Sequence, residues 1–412
     1  MVREPRWLFS SKHSDSSGIE PALYSDPNNM TSLHQHGVTG YLLNYGQRFI
    51  TESLGTSFIE VLAENVDSLN NIDDPVSHEI LLSIKDSGEL NFNISSHEEF
   101  FCLGLKRPED ILKYLTFRRK FGLAGLKRRL FDIPPYILVE PVSACNLRCP
   151  MCFQIDKTFT RKPFMGRMKW ELFTKVVDEA DEIGVGAVTV ASRGEPMMHP
   201  RYGEMLSYIG AKKNIFELKT NTNATYLTEK ICHEIFRAGV TTLVISADHY
   251  RKEDYEKLRK GADFEEVVAN VAMLHRIRNE TYPDCKTEIR VSGVDYYQTL
   301  DKKQFADFWS KYSDTVSSGT AIEKWDTYNN KPQPELQSSC SFLWDRMYVW
   351  FDGACNPCDA DYKSYLSFGN VTDKTIKEVW NGSPLRELRQ KHMNKKRNSL
   401  IPCDRCGIDF PE

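Results

Sequence analysis

The chain has 412 residues, enough for two or three domains around a substantial core. Fifty-three basic against 57 acidic side chains leave a net charge near −4, which excludes a chain built as a whole to bind nucleic acid. No apolar run approaches the ~20 residues of a membrane span and the first residues lack a charged-then-apolar signal layout, so a cytoplasmic protein is expected.

Residues 1–40 are polar, rich in Ser, Asn, Asp and His, and read as extended or poorly ordered. Residues 41–105 carry apolar clusters, among them Phe58-Ile59, Val61-Leu62 and Ile80-Leu81-Leu82-Ile84, that suit a small helical or mixed extension of undefined fold. Residues 106–130 form a basic amphipathic stretch with nine Lys or Arg against two acids. Two readings stay open for it: a solvated helix face bridging to the next domain, or a dock for an acidic reductant, a peptide or an anionic substrate. Together these segments make an N-terminal extension, residues 1–130.

From Tyr136 strand and helix signals alternate. The strands are Tyr136–Val139, Ala187–Ala191, Ile215–Lys219, Thr242–Ala247 and Thr287–Val291, with helices such as Trp170–Ile183 and Thr228–Ala238 between them. Such alternation predicts an α/β domain, residues 131–330, with a parallel sheet that binds ligands at the carboxyl ends of its strands. A smaller domain, residues 331–412, completes the chain.

Eleven cysteines are present, and seven of them fall in two spaced sets, which suits metal-bound thiolates in a reducing compartment better than disulfides. The first set is Cys145, Cys149 and Cys152, spaced C-x3-C-x2-C directly after the first strand. Three thiolates leave a metal site one protein ligand short; a zinc knuckle with a distant fourth ligand is the alternative. The second strand ends in Gly194-Glu195-Pro196, where glycine permits close backbone approach and the glutamate can accept from an ammonium group. The third ends in the polar cluster Thr220-Asn221-Thr222-Asn223, equally an ordinary capped turn. The fourth ends in Ser246-Ala247-Asp248, followed by Tyr255 and Arg259, and the fifth holds Val291-Ser292-Gly293. Near the C-terminus, Cys355-x-x-Cys358 with Cys403-x-x-Cys406 would by itself read as a zinc ribbon.

Taken together, the cysteine triplet, Gly194-Glu195-Pro196 and the strand-end residues resemble the radical S-adenosylmethionine (SAM) enzymes. The surroundings of the later cysteines (Asp352-Gly353, Phe368-Gly369-Asn370, Glu378-Val379-Trp380-Asn381, Pro402-Cys403) resemble their SPASM/twitch subfamily in its single-cluster form. The resemblance implies a partial (β/α)6 TIM-like barrel and a [4Fe-4S] cluster on Cys145, Cys149 and Cys152. It also implies an auxiliary [4Fe-4S] cluster on Cys340, Cys358, Cys403 and Cys406, with Cys355 outside the ligand set. SAM contacts would come from Met151, Gly194, Glu195, Thr220, Asn221, Ser246, Arg259 and Val291; Arg193 departs from the family, which has a glycine there.

The implied chemistry is reductive cleavage of SAM and abstraction of a substrate hydrogen, supported by a flavodoxin- or ferredoxin-type reductant. The expected reaction is oxidation of a carbinol in a sugar, aminocyclitol or similar small polar metabolite. An epimerase with Cys355 as hydrogen donor, a maturase of ribosomal peptides, and a non-catalytic redox sensor or zinc-bearing scaffold are the alternatives; Cys355 can also be a buried small hydrophobe.

Overall fold

The computed structural model describes residues 22–23, 40–45, 57–320 and 326–406, so the expectation for residues 1–40 lies almost wholly outside the described residues. Among these, one sheet runs through the molecule. Its first edge is an antiparallel pair, β1 (Ala22–Leu23) and β2 (Gly40–Tyr45). The centre holds six parallel strands: β3 (Tyr136–Val139), β4 (Ala187–Val190), β5 (Glu217–Thr222), β6 (Thr242–Ser246), β7 (Glu288–Asp295) and β8 (Thr315–Thr320). Three short strands follow, β9 (Met347–Val349), β10 (Ala354–Asn356) and β11 (Gly369–Asn370). The order is β1-β2-β8-β7-β6-β5-β4-β3-β9-β10-β11, so the parallel strands form an open, partial (β/α)6 barrel.

Local chemistry explains the framing. Helix Trp170–Ile183 buries Phe173, Val176, Val177 and Ala180 on one stripe and stops at Gly184, whose φ of 85° suits a residue without a Cβ. Helix Glu229–Arg237 starts where the Thr228 hydroxyl caps the N–H of Ile231. β8 escaped the sequence pattern because Ser317, Ser318 and Gly319 carry no apolar signal. It forms because both its neighbours, β7 and β2, pair with it.

Alternation sorts the strand residues into two layers. Ile245, Val291 and Val316 are in register and face the helices within the main core. The opposite face of β6, β7 and β8 carries Ser246, Ser292 and Ser317, also in register.

Beyond β1 and β2 the described part of the N-terminal extension is helical (Phe58–Glu64, Pro75–Ser87, Ser96–Leu103 and Pro108–Lys127), and its last helix corrects the reading of the basic stretch as a solvated bridge. Helix Pro108–Lys127 buries Ile111, Leu112, Tyr114, Leu115, Phe117 and Phe121. It closes the barrel from below: Tyr114 donates to Glu217 Oε1 (3.0 Å) at the start of β5, and buried Arg118 pairs with Glu217 (3.3 Å) and Glu98. Its Lys120 pairs with Asp74, and just past the helix Arg128 donates to Ser339 while Arg129 pairs with Glu79 at the surface.

The C-terminal domain joins the barrel through β9, parallel to β3, through the Lys363–Asp156 ion pair (2.7 Å), and through one buried guanidinium of the barrel. Arg193, after β4, holds Glu140, after β3, through two contacts of 2.5 and 2.6 Å. The same guanidinium donates to Tyr362 O (2.8 Å) and lies 4.1 Å from the centre of the Trp350 ring. Replacing Arg193 by Met should strand the Glu140 carboxylate in the core and cost about 3–5 kcal/mol, read as a lower denaturation midpoint. Adding Glu140→Gln to that variant should restore part of the loss, because the uncompensated charge is gone.

Candidate active site

The carboxyl ends of β3 to β6 converge on one loop, residues 140–169, that carries Cys145, Cys149 and Cys152. Turns from three other strands tie it down. The Glu195 N–H donates to Ala144 O (3.0 Å), the Arg148 N–H to Lys260 O (2.9 Å), and Asn146 Nδ2 to Thr225 Oγ1 (2.9 Å). Gln154 Nε2 donates to the carbonyls of Ser143 and Arg193, at 2.7 and 2.6 Å. Gly194 is required by contact: a Cβ there would lie 2.3 Å from Val142 O and 2.4 Å from Ala144 O.

Cys145, Cys149 and Cys152 share a small cluster with Leu147, Met151 and Leu258. Burial pushes the Cys145 thiol up to about 12, with the nearby Glu195 adding to it. Burial also raises Cys149, opposed by Arg259, whose guanidinium hydrogen-bonds the thiol. Any metal taken up here must displace thiol protons.

Glu195 is buried at 3 % exposure. Its Oε1 accepts from Thr222 Oγ1 (2.7 Å) and the Met197 N–H (3.3 Å), and its Oε2 from the Asn223 N–H (2.8 Å). Burial raises its pKa to about 7, and these donors hold it from rising further. Thr222 and Asn223, the second half of the polar cluster that the sequence places at the end of this strand, are the members that reach Glu195.

The remaining expected contacts divide. Asn221 and Ser246 sit half-buried at the ends of β5 and β6. Thr220 is fully buried and spends its hydroxyl on Val190 O (2.8 Å) and Tyr202 (3.0 Å), so it braces β5. Arg259 pairs through Nε with Asp248 Oδ2 (2.6 Å), and Asp248 Oδ1 accepts from the Val294 N–H (3.0 Å). The Val291 side chain turns away into the helix-facing core, leaving its backbone and the adjacent Ser292 on the barrel side.

In the C-terminal domain, Cys358 senses Cys340, Cys403 and Cys406 together, and burial plus these three thiols drives its pKa well up. Arg397, 1 % exposed, lies close enough to Cys340 and Cys403 to pull their thiols down against burial. Among the described residues no three His, Cys, Asp or Glu side chains gather closely enough to ligate one ion.

Cys355 corrects the hydrogen-donor expectation. It is fully buried in β10, shares the main core with Val349, Phe368 and Val371, and is pushed up to about 12 by burial. It packs as a small apolar residue on the helix side of the sheet, away from the barrel interior.

A family model described as the radical SAM superfamily matches residues 139–289, and one described as the SPASM iron-sulfur cluster-binding domain matches residues 340–407. The chain is 26% identical over 325 residues (67% of it, 89% of the relative) to the tungsten-containing aldehyde ferredoxin oxidoreductase cofactor-modifying protein of Pyrococcus furiosus. It is 26% identical over 309 residues (64% of it, 93% of the relative) to GTP 3',8-cyclase of Clostridium botulinum. Streptococcus suis SuiB bound to S-adenosylmethionine shares the fold at a TM-score of 0.51 and 16% identity, over 81% of this chain and 82% of that one.

The Glu195 geometry has a measurable consequence. From about pH 4.5 to about 7 the unfolded carboxyl is ionised while the folded one keeps its proton, so this residue lowers stability as pH rises across that window. Above it the loss reaches about 3 kcal/mol. Denaturant titrations of the ligand-free chain should therefore show Glu195→Gln gaining on the parent between pH 5 and about 7, and level with it near pH 4.

Proposed function

We propose, for a chain that belongs to the radical SAM superfamily and carries a C-terminal SPASM iron-sulfur domain, the oxidation of a carbinol carbon in a small polar metabolite such as a sugar or aminocyclitol. Its cofactors are a [4Fe-4S] cluster, SAM and an auxiliary [4Fe-4S] cluster. When bound, they supply one-electron cleavage of SAM, a radical that takes a substrate hydrogen, and an acceptor for a second electron.

The residues present fit these groups. Cys145, Cys149 and Cys152 would hold the first cluster, and Glu195, buried among hydrogen-bond donors, would accept from the SAM ammonium. Gly194 keeps the cysteine loop and the Glu195 turn in contact. The Met151 backbone, Asn221, Ser246 and the Val291-Ser292 backbone would flank the adenosine. Arg259 would steady the Cys149 thiolate while sharing its guanidinium between Asp248 and a SAM carboxylate.

The observation that carries the reading is the auxiliary set. Cys340, Cys358, Cys403 and Cys406 are brought together with Arg397 buried beside them. A centre ligated by four protein thiolates has no open iron for substrate, so electron exchange is its available role. The substrate would lose a hydrogen atom first, then one electron to this centre and one proton to solvent. The row of Ser246, Ser292 and Ser317 suits a hydroxyl-rich substrate, and the names of the two relatives given above concern a cofactor and a nucleotide rather than a peptide.

Anaerobic reconstitution should give roughly eight irons per chain, about half of them lost in Cys149→Ser and the other half in Cys358→Ser. Incubation with fractionated small metabolites and dithionite should then yield deuterated 5'-deoxyadenosine from one carbinol-deuterated compound and its ketone. Transfer from a peptide fraction alone would sink the reading, as would an intact cluster that never yields 5'-deoxyadenosine. Cys355→Ala should cost about 1 kcal/mol in stability and leave the oxidation rate unchanged; an epimerase using this thiol would stall.

A further inference from the structure

A basic segment adjoins the four auxiliary thiols. Residues 383–402 contain six Lys or Arg and a single acid, Glu387. Two members of this segment are buried against the thiol set: the Cys340 N–H donates to His392 Nδ1 (3.2 Å), and Arg397 lies beside Cys340 and Cys403. Their immediate neighbours Lys391, Lys395 and Lys396 are exposed, as are Met393 at 55% and Ile401 at 44%. The turn is closed by the Lys395 N–H on His392 O (3.1 Å) and the Lys396 N–H on Lys391 O (2.8 Å), which groups the three ammonium-bearing residues on one short ridge.

The other basic stretch is mixed, since its Lys106, Lys113 and Lys127 are exposed and in no ion pair among the described residues. Arg118, Lys120 and Arg129 near the N-terminus are each matched by a carboxylate. Among the described residues no ion pair is recorded for Lys391, Lys395 or Lys396. A cluster of unmatched cations around two exposed apolar side chains has the make-up of a transient electrostatic interface. Its position, adjoining in sequence the His392 and Arg397 that act on the thiol set, suits electron passage.

We propose that the ridge of Lys391, Met393, Lys395, Lys396 and Ile401 docks an acidic one-electron carrier protein of the ferredoxin or flavodoxin type, which takes electrons from the auxiliary centre. This rests on the oxidative reading of that centre. The balance is complete: the substrate gives up a hydrogen atom and then a proton and an electron, the electron leaves through the auxiliary site, and an oxidised carrier is reduced by one electron. Each turnover then requires a carrier that is not the substrate itself.

The test omits substrate, so that its outcome is independent of which carbon is oxidised. Holoprotein reduced with dithionite and freed of excess reductant is mixed in a stopped-flow with an oxidised acidic [2Fe-2S] ferredoxin. Reversing the ridge charge (Lys391→Glu, Lys395→Glu and Lys396→Glu together) should slow ferredoxin reduction by about 10-fold or more at low ionic strength. It should also flatten the salt dependence seen in the parent, with iron content and dithionite-driven SAM cleavage unchanged. The same reversal at exposed Lys106 and Lys113 serves as the reference. No slowing in the ridge variant, or equal slowing in the reference variant, would overturn the proposal.

Discussion

The buried pair of Glu140 and Arg193 is the constraint on which the site depends. Both residues stand just past the ends of adjacent strands, and their two short contacts are out of reach of water. In such a place neither charge is tolerable alone, so the geometry is held by the cost of every alternative. The pair fixes the root of the cysteine loop and the turn that carries Gly194 and Glu195. Through Tyr362 and Trp350 it also fixes the C-terminal domain against both. Two redox sites and a ligand turn therefore share one anchor.

Beneath that anchor the barrel is closed by the apolar face of helix Pro108–Lys127 and by buried ion pairs set within it. Glu98, Arg118 and Glu217 join the plug helix to the floor, and Glu288 with Arg290 continue the pattern on β7. Each carboxylate there has a guanidinium within reach, which makes a polar interior stable without solvent. The upper rim carries hydroxyls and amides instead, a surface suited to a polar ligand. Aromatic packing of Phe153 on Tyr362, with ring centres 5.0 Å apart, links the residue after Cys152 to the auxiliary domain.

Much of the site was legible in the chain because its signals are local. Cysteine spacing, a Gly-Glu-Pro turn and strand ends need no knowledge of distant partners. What was missed depends on partners far away in sequence. β8 exists because β2 and β7 flank it, not because its own residues prefer extended chain. The basic stretch looked solvated because Glu98, Glu217 and Asp74, which match its cations, lie 20 or more positions away. Cys355 seemed a spare thiol near a ligand, and only its place on the helix side of β10 shows it as packing.

By itself the sequence determined the parallel α/β core, the two cysteine sets and the carboxylate beside the first of them, since metal chemistry and strand periodicity are written in spacing. Tertiary structure decided which charges are spent inside and which remain outward. It turned Arg193 from a departure into an anchor, Arg259 into a partner of Asp248, and left Lys391, Lys395 and Lys396 at the surface. The physical reason is burial: a side chain's charge is set by its composition, but its worth is set by the partners and the water that the fold leaves beside it.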